Sequence, residues 1–152
     1  MPNWCYNNVT VGFDPEDEEK LRVAIQNGEE FFNLFVKRPP EFDEGDKWYE
    51  WNIQNWGTKW DATPSGVQWN DGYVQFRLET AWSPPIAFYE SLEAIGYRVE
   101  AYYLEEGMCF VGHYEDGFDN YYEYGDMSAD EMEQSLPAWV DDEFNIITSK
   151  RD

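Results

Sequence analysis

Basic residues are scarce in this chain. Lysine and arginine number 10 against 32 aspartates and glutamates, and the 152 residues carry a formal net charge of −22. A surface of one sign repels phosphate backbones and anionic lipid headgroups, so no direct binding to nucleic acid and no membrane association is expected. Cysteine is nearly absent: Cys5 and Cys109 make neither a disulfide framework nor a zinc set. Reduced thiols and a cytoplasmic setting follow as the expectation. A single histidine, His113, is left to serve any Ser-His-Asp or Cys-His site. No apolar run reaches the roughly 18–20 residues that span a bilayer. The opening Met1-Pro2-Asn3-Trp4-Cys5 lacks the basic start and apolar stretch of a secretory leader. Leu, Ile, Val and Phe are also few, together 31, near the composition of disordered chains.

Aromatic residues move the chain out of that class. Trp, Tyr and Phe make up 19% of it, and each ring can bury a large area. The expected object is a ring-rich core inside a strongly negative surface. The charge is uneven. Residues 101–152 hold 14 acidic and 2 basic residues, and no lysine or arginine occurs between Arg98 and Lys150. A solvated acidic tail is one reading of this span. Disordered acidic tails are poor in aromatics, however, and residues 99–149 contain ten of them. The acids are therefore expected on folded structure.

Trp4 to Phe13 reads as a strand, with Cys5, Asn7, Val9, Val11 and Phe13 on one face. Asp14-Pro15 opens a helix with Leu21, Ala24 and Ile25 as its apolar stripe and Gly28 as its stop. Residues 29–66 form an aromatic-rich insertion with a packed turn at Phe31 to Phe35 and a short helix entering a loop over Trp48 to Trp60. Val67 to Trp69 and Tyr73 to Thr80 flank an Asn70-Asp71-Gly72 turn and read as a hairpin. Ser83-Pro84-Pro85 opens a second helix that runs to Ile95; Tyr97 to Leu104 and Met108 to Tyr114 are further strands. This order predicts an α+β chain, a ferredoxin-like plait (βαββαβ) with an insertion, an extra C-terminal hairpin and an acidic tail. The plait would span residues 1–127. Residues 128–152 would be an acidic, partly helical segment, with Ser128 and Glu131 as a capping box.

Three blocks stand out: Met1-Pro2-Asn3-Trp4-Cys5 with Asn7, then Asn55-Trp56-Gly57-Thr58-Lys59-Trp60, then Thr80-Ala81-Trp82-Ser83-Pro84-Pro85. In these the chain resembles the YubB-type ferredoxin-like domain family of phage and plasmid proteins. The resemblance implies a ferredoxin-like fold and a mobile-element origin. It brings no reaction, cofactor or catalytic residue with it.

Specific chemistry is thin. Cys109 and His113 are four apart on an expected strand and share a face, but nothing further marks a nucleophilic site. Asp116, Asp119 and Asn120 sit near Gly117 without the spacing of a calcium loop. No P-loop is present. No catalytic residue, metal or cofactor is therefore assigned, and a glycoside hydrolase is a remote enzymatic reading. Gly57 is expected in a backbone conformation that side chains resist, and Trp82 as the ring that locks a strand-to-helix junction. The functional expectation rests on charge: an inhibitor of a host nucleic-acid-binding defence enzyme of the CRISPR or restriction type, acting by DNA mimicry. B-DNA presents about one charge per 1.7 Å, and carboxylates fixed along a rigid edge can fill the same basic groove. The partner would be a basic host protein. The expected contacts are Glu105, Glu106, Glu115, Asp116, Asp119, Glu123 and Asp126, with Trp56 and Trp60 from the aromatic segment. The alternative is a non-catalytic interaction or glycan-binding module using the Trp-rich segment.

Overall fold

A computed structural model describes residues 2–151. It is an α+β structure built on one six-stranded sheet, in which every neighbouring pair is antiparallel. The strands are β1 (Trp4–Gly12), β2 (Ser65–Asn70), β3 (Tyr73–Ala81), β4 (Arg98–Glu105), β5 (Phe110–Glu115) and β6 (Phe118–Glu123). Their spatial order is β2-β3-β1-β4-β5-β6. The helices are α1 (Glu18–Gln26), α2 (Phe31–Phe35), α3 (Lys47–Asn55), α4 (Ile86–Ala94), α5 (Ala129–Ser135), α6 (Trp139–Phe144) and α7 (Ile146–Arg151).

Period-two alternation decides which side of the sheet is dry. Val9 and Val11 from β1, Val74, Phe76 and Leu78 from β3, and Val99 and Ala101 from β4 form one face. On it lie Leu21 and Ala24 of α1, Phe31 and Phe32 of α2, and Phe88, Tyr89 and Leu92 of α4. The two helices expected from the sequence thus share a face, as their apolar stripes require. Rings replace aliphatics in this core: Phe31 meets Phe76 and Phe88 with centroids 5.6 and 5.3 Å apart, and Phe32 lies 4.3 Å from Phe88. The insertion belongs to the same core through Phe31, Phe32 and Trp56. Asp61 reaches back to accept N–H bonds from Phe32 (2.7 Å) and Asn33 (3.0 Å), and so closes the first turn of α2.

Details differ from the sequence reading for local reasons. The first helix is preceded by a short 3-10 turn at Pro15–Asp17, and the Asp14 side chain makes no capping bond. The sheet also continues beyond the strands expected. Asp116 (φ 50°) and Gly117 (φ 83°) both take left-handed backbone and turn the chain directly into β6. Two such residues in succession are the geometry that suits the twist of a two-residue hairpin.

The opposite face of the sheet is covered over β4 to β6 by the acidic C-terminal segment. Met132, Leu136, Val140 and Ile147 pack with Leu104, Val111 and Tyr124. Trp139 lies 5.2 Å from Tyr102 and 6.3 Å from Tyr122. The expected capping box is present: Glu131 N–H donates to Ser128 Oγ at 3.2 Å, and Glu131 Oε1 accepts from Ser128 N–H at 3.3 Å. What reads as an acidic tail is a set of three short helices with an apolar underside. Among the described residues no helix is long and apolar enough to cross a membrane.

Candidate functional site

The β5–β6 hairpin collects most of the acids singled out in the sequence. Glu115 and Asp116 stand at its tip, exposed. On β6, an edge strand, Asp119, Tyr121 and Glu123 point to one side, with successive side chains about 7 Å apart at the rise of a strand. Tyrosines fix these carboxylates. The Tyr103 hydroxyl donates to Asp119, and the Tyr121 hydroxyl donates to Glu123 at 2.9 Å. Burial and the Asp119 bond push the Tyr103 phenol far above its ordinary range. Tyr121 is pushed up to about 12, by desolvation and then by its bond to Glu123. Glu106 and Asp126 are exposed in the flanking turns. Among the described residues, no lysine or arginine forms an ion pair with Glu106, Glu115, Asp116, Asp119, Glu123 or Asp126.

Glu105 does not belong to this display, which corrects the sequence expectation. It is fully buried, paired across the sheet with Cys5 and Phe110. Its carboxylate accepts the backbone N–H groups of Gly107 and Met108. The tight β4–β5 turn leaves those donors without ladder partners, and a carboxylate satisfies them better than a neutral acceptor.

A second cluster lies on the sheet face at the other side of the hairpin. Glu100 and Glu115 are directly opposed across β4 and β5, and Tyr102 is opposed to His113. His113 Nε2 lies 2.9 Å from Glu100 Oε2. Its ring stacks on Tyr102 at 4.4 Å and 25°. Burial raises the Glu100 carboxyl, but hydrogen bonds from Glu115 and His113 outweigh it and hold Glu100 below its usual range. The same hydrogen bond, with the Glu100 charge behind it, raises Glu115. Glu100 borders two clefts, of about 570 and 360 Å³. Sequence inspection did not assemble this cluster. The available signal was the hairpin register, which places residue 100 beside 115 once the turn at 106–109 is fixed.

Cys109 and His113 do not form a pair. Cys109 sits in the turn before β5 with φ 56°, and its thiol contacts the Glu106 carbonyl oxygen at 3.4 Å.

The aromatic segment divides in two. Trp56 is 2% exposed, so it is core and not a contact surface, contrary to expectation. Its indole N–H donates to the Val36 carbonyl at 2.9 Å, and its own carbonyl accepts from Phe88 N–H at 3.2 Å, in the first turn of α4. Gly57 takes φ +88°, as expected, and a Cβ there would meet the Ile86 nitrogen at 2.9 Å. Ser83 Oγ donates to the Gly57 carbonyl, and Thr58 Oγ1 to the Ala81 carbonyl. The two central sequence blocks are thus the two halves of one backbone junction. Trp82 is not its lock: the residue is 46% exposed on a left-handed backbone (φ 72°), and its backbone N–H donates to the Asn3 carbonyl. Trp60 is exposed and lies 6.2 Å from Trp4. With Trp48, Arg38 and Asp61 it lines a cleft of about 420 Å³. Burial raises the Asp61 carboxyl against three backbone N–H bonds that lower it.

Comparison with known proteins adds little. No family model matches the chain, and no curated protein matches it. Among solved structures it is similar to the crystal structure of a protein api92 from Yersinia pseudotuberculosis, of the family model DUF1281, at 17% identity and a TM-score of 0.37. That similarity covers 54% of this chain and 32% of the other, so the chain spans about a third of that protein's length. Nothing is transferred from a likeness at this level.

Proposed function

We propose that β1 to β4 with α1 and α4 form a ferredoxin-like plait, extended at one edge by β5 and β6. The spatial order β2-β3-β1-β4 and the shared face of α1 and α4 support it. On that frame the protein acts as an acidic inhibitor. It occupies the nucleic-acid groove of a basic host enzyme of the CRISPR or restriction type, in place of DNA. The observation that carries this reading is the β6 edge, where Tyr103 and Tyr121 hold the Asp119 and Glu123 carboxylates and no lysine or arginine among the described residues pairs with them. Carboxylates held in place by folding lose little freedom on binding, whereas a floppy polyanion loses much. Opposite charge steers the encounter, and salt weakens it.

The test is competition between labelled duplex DNA and this protein for a purified nucleic-acid enzyme, at two salt concentrations. Displacement of the duplex at low salt, relieved at high salt, is expected. Neutralising Glu106, Asp116 and Glu123 together (Glu106→Gln, Asp116→Asn, Glu123→Gln) should weaken displacement by at least about tenfold. The same treatment of the exposed Glu16, Glu19 and Glu41 should change it little. Simultaneous binding of DNA and protein across a panel of such enzymes refutes mimicry. A second reading has its own observation, the Trp48–Trp60 cleft with Arg38 and Asp61. Saturable binding of an oligosaccharide, abolished by Trp60→Ala, would favour a glycan-binding module instead.

A further inference from the structure

We propose that Glu100, His113 and Glu115 bind one divalent transition-metal ion of the zinc class on the sheet face that carries the C-terminal helices, beside Trp139. The proposal is independent of the acidic edge and of what that edge binds. Three observations converge. The first is geometric: one ligand atom from each residue, two carboxylate oxygens and an imidazole nitrogen, all lie within 4.8 Å of one another. Tetrahedral zinc sites place their donors roughly 3.3–3.6 Å apart. Glu100 and His113 are already at 2.9 Å. That pair opens by about half an ångström to admit the ion, and Glu115, an exposed side chain at the end of β5, turns toward it.

The second observation is electrostatic. Two carboxylates stand directly opposite each other on paired strands, an arrangement that destabilises a sheet unless something neutralises it. No lysine or arginine ion pair reaches either carboxylate among the described residues; their neighbour is His113. A dication between them removes the repulsion. The third is the histidine. It is the one histidine of the chain, and its ring is set by packing on Tyr102 at 4.4 Å and Trp139 at 6.0 Å together with the contact to Glu100. A preset nitrogen donor distinguishes this site from the general acidic surface, because Ca²⁺ and Mg²⁺ select oxygen sets while imidazole favours zinc-type ions. The two clefts that Glu100 borders leave room for water to complete the coordination.

The solitary histidine also makes the test clean. The imidazole resonances of the full chain are followed by NMR during titration with ZnCl₂, and in parallel with MgCl₂, at 150 mM salt as a typical screening condition. Zinc should shift them with saturation near one equivalent, and magnesium should not. Glu115→Gln, which alters an exposed side chain and spares the core, should raise the zinc midpoint at least about tenfold. Calorimetry on His113→Gln should show the same loss. An imidazole signal that ignores zinc up to a large excess overturns the site. So does an equal response to magnesium, or an unchanged zinc midpoint in Glu115→Gln.

Discussion

Replacing Gly57 with alanine tests whether the aromatic block and the start of α4 are one rigid junction. Gly57 has φ +88°, where an L-residue is strained by about 1–2 kcal/mol. A Cβ there would lie 2.9 Å from the Ile86 nitrogen, 3.1 Å from the Ala87 nitrogen and 3.2 Å from the Pro85 carbonyl carbon. All three are backbone atoms and cannot rotate away, so α4 must shift. Forced overpacking of this kind costs about 1–3 kcal/mol. The shift also endangers two bonds, Phe88 N–H to the Trp56 carbonyl and Ser83 Oγ to the Gly57 carbonyl, worth about 1 kcal/mol each. Alanine lowers the entropy of the unfolded chain and returns about 0.4–1 kcal/mol. The net loss is about 3–5 kcal/mol, a fall in Tm of roughly 6–20 °C for a chain of this size. Gly72 supplies the control. Its φ is +85°, but no atom lies within 4 Å of the added Cβ, so Gly72→Ala should cost about 1 kcal/mol or less. Thermal and guanidinium unfolding followed by tryptophan fluorescence measures both. Equal losses in the two variants would refute the junction, since only backbone strain would then be at stake.

Trp56→Ala should cost about 3–5 kcal/mol, as for a large buried ring, whereas Trp60→Ala should stay under about 1 kcal/mol; comparable losses by denaturant titration would contradict the division of the aromatic segment. The buried tyrosines predict alkaline instability. Tyr89, Tyr103 and Tyr114 are raised, chiefly by desolvation, and Tyr124 is pushed up to about 12 for the same reason. Above pH ~10 the unfolded chain loses tyrosine protons that the native state keeps, so native stability falls as pH rises from there toward 12. Phenolate absorbance for these residues should appear together with loss of the native fluorescence. Titration near pH 10 within an intact fold would refute it.

Alternation and turn chemistry made much of this fold legible. Val9, Val11, Val74, Phe76 and Leu78 reveal their buried face because strand side chains alternate, and Ser128 with Glu131 announces a helix start because the capping bonds are local. The left-handed backbone of Gly57 was likewise readable, from a glycine between two bulky blocks. Charge and composition determined that rings would build the core and that the last third would carry the acids. Tertiary structure alone decided which acids face solvent. Glu105 and Glu106 are adjacent and chemically alike, yet one is buried under the β4–β5 turn and the other is exposed. The difference lies in which backbone donors the turn leaves unpaired. Trp56 and Trp60 divide in the same way, because only the docking of residues 56–58 against α4 determines which ring points inward. The meeting of Glu100, His113 and Glu115 belongs wholly to the tertiary level. It depends on the register between β4 and β5, and a slip of one residue would send each side chain to the other face of the sheet.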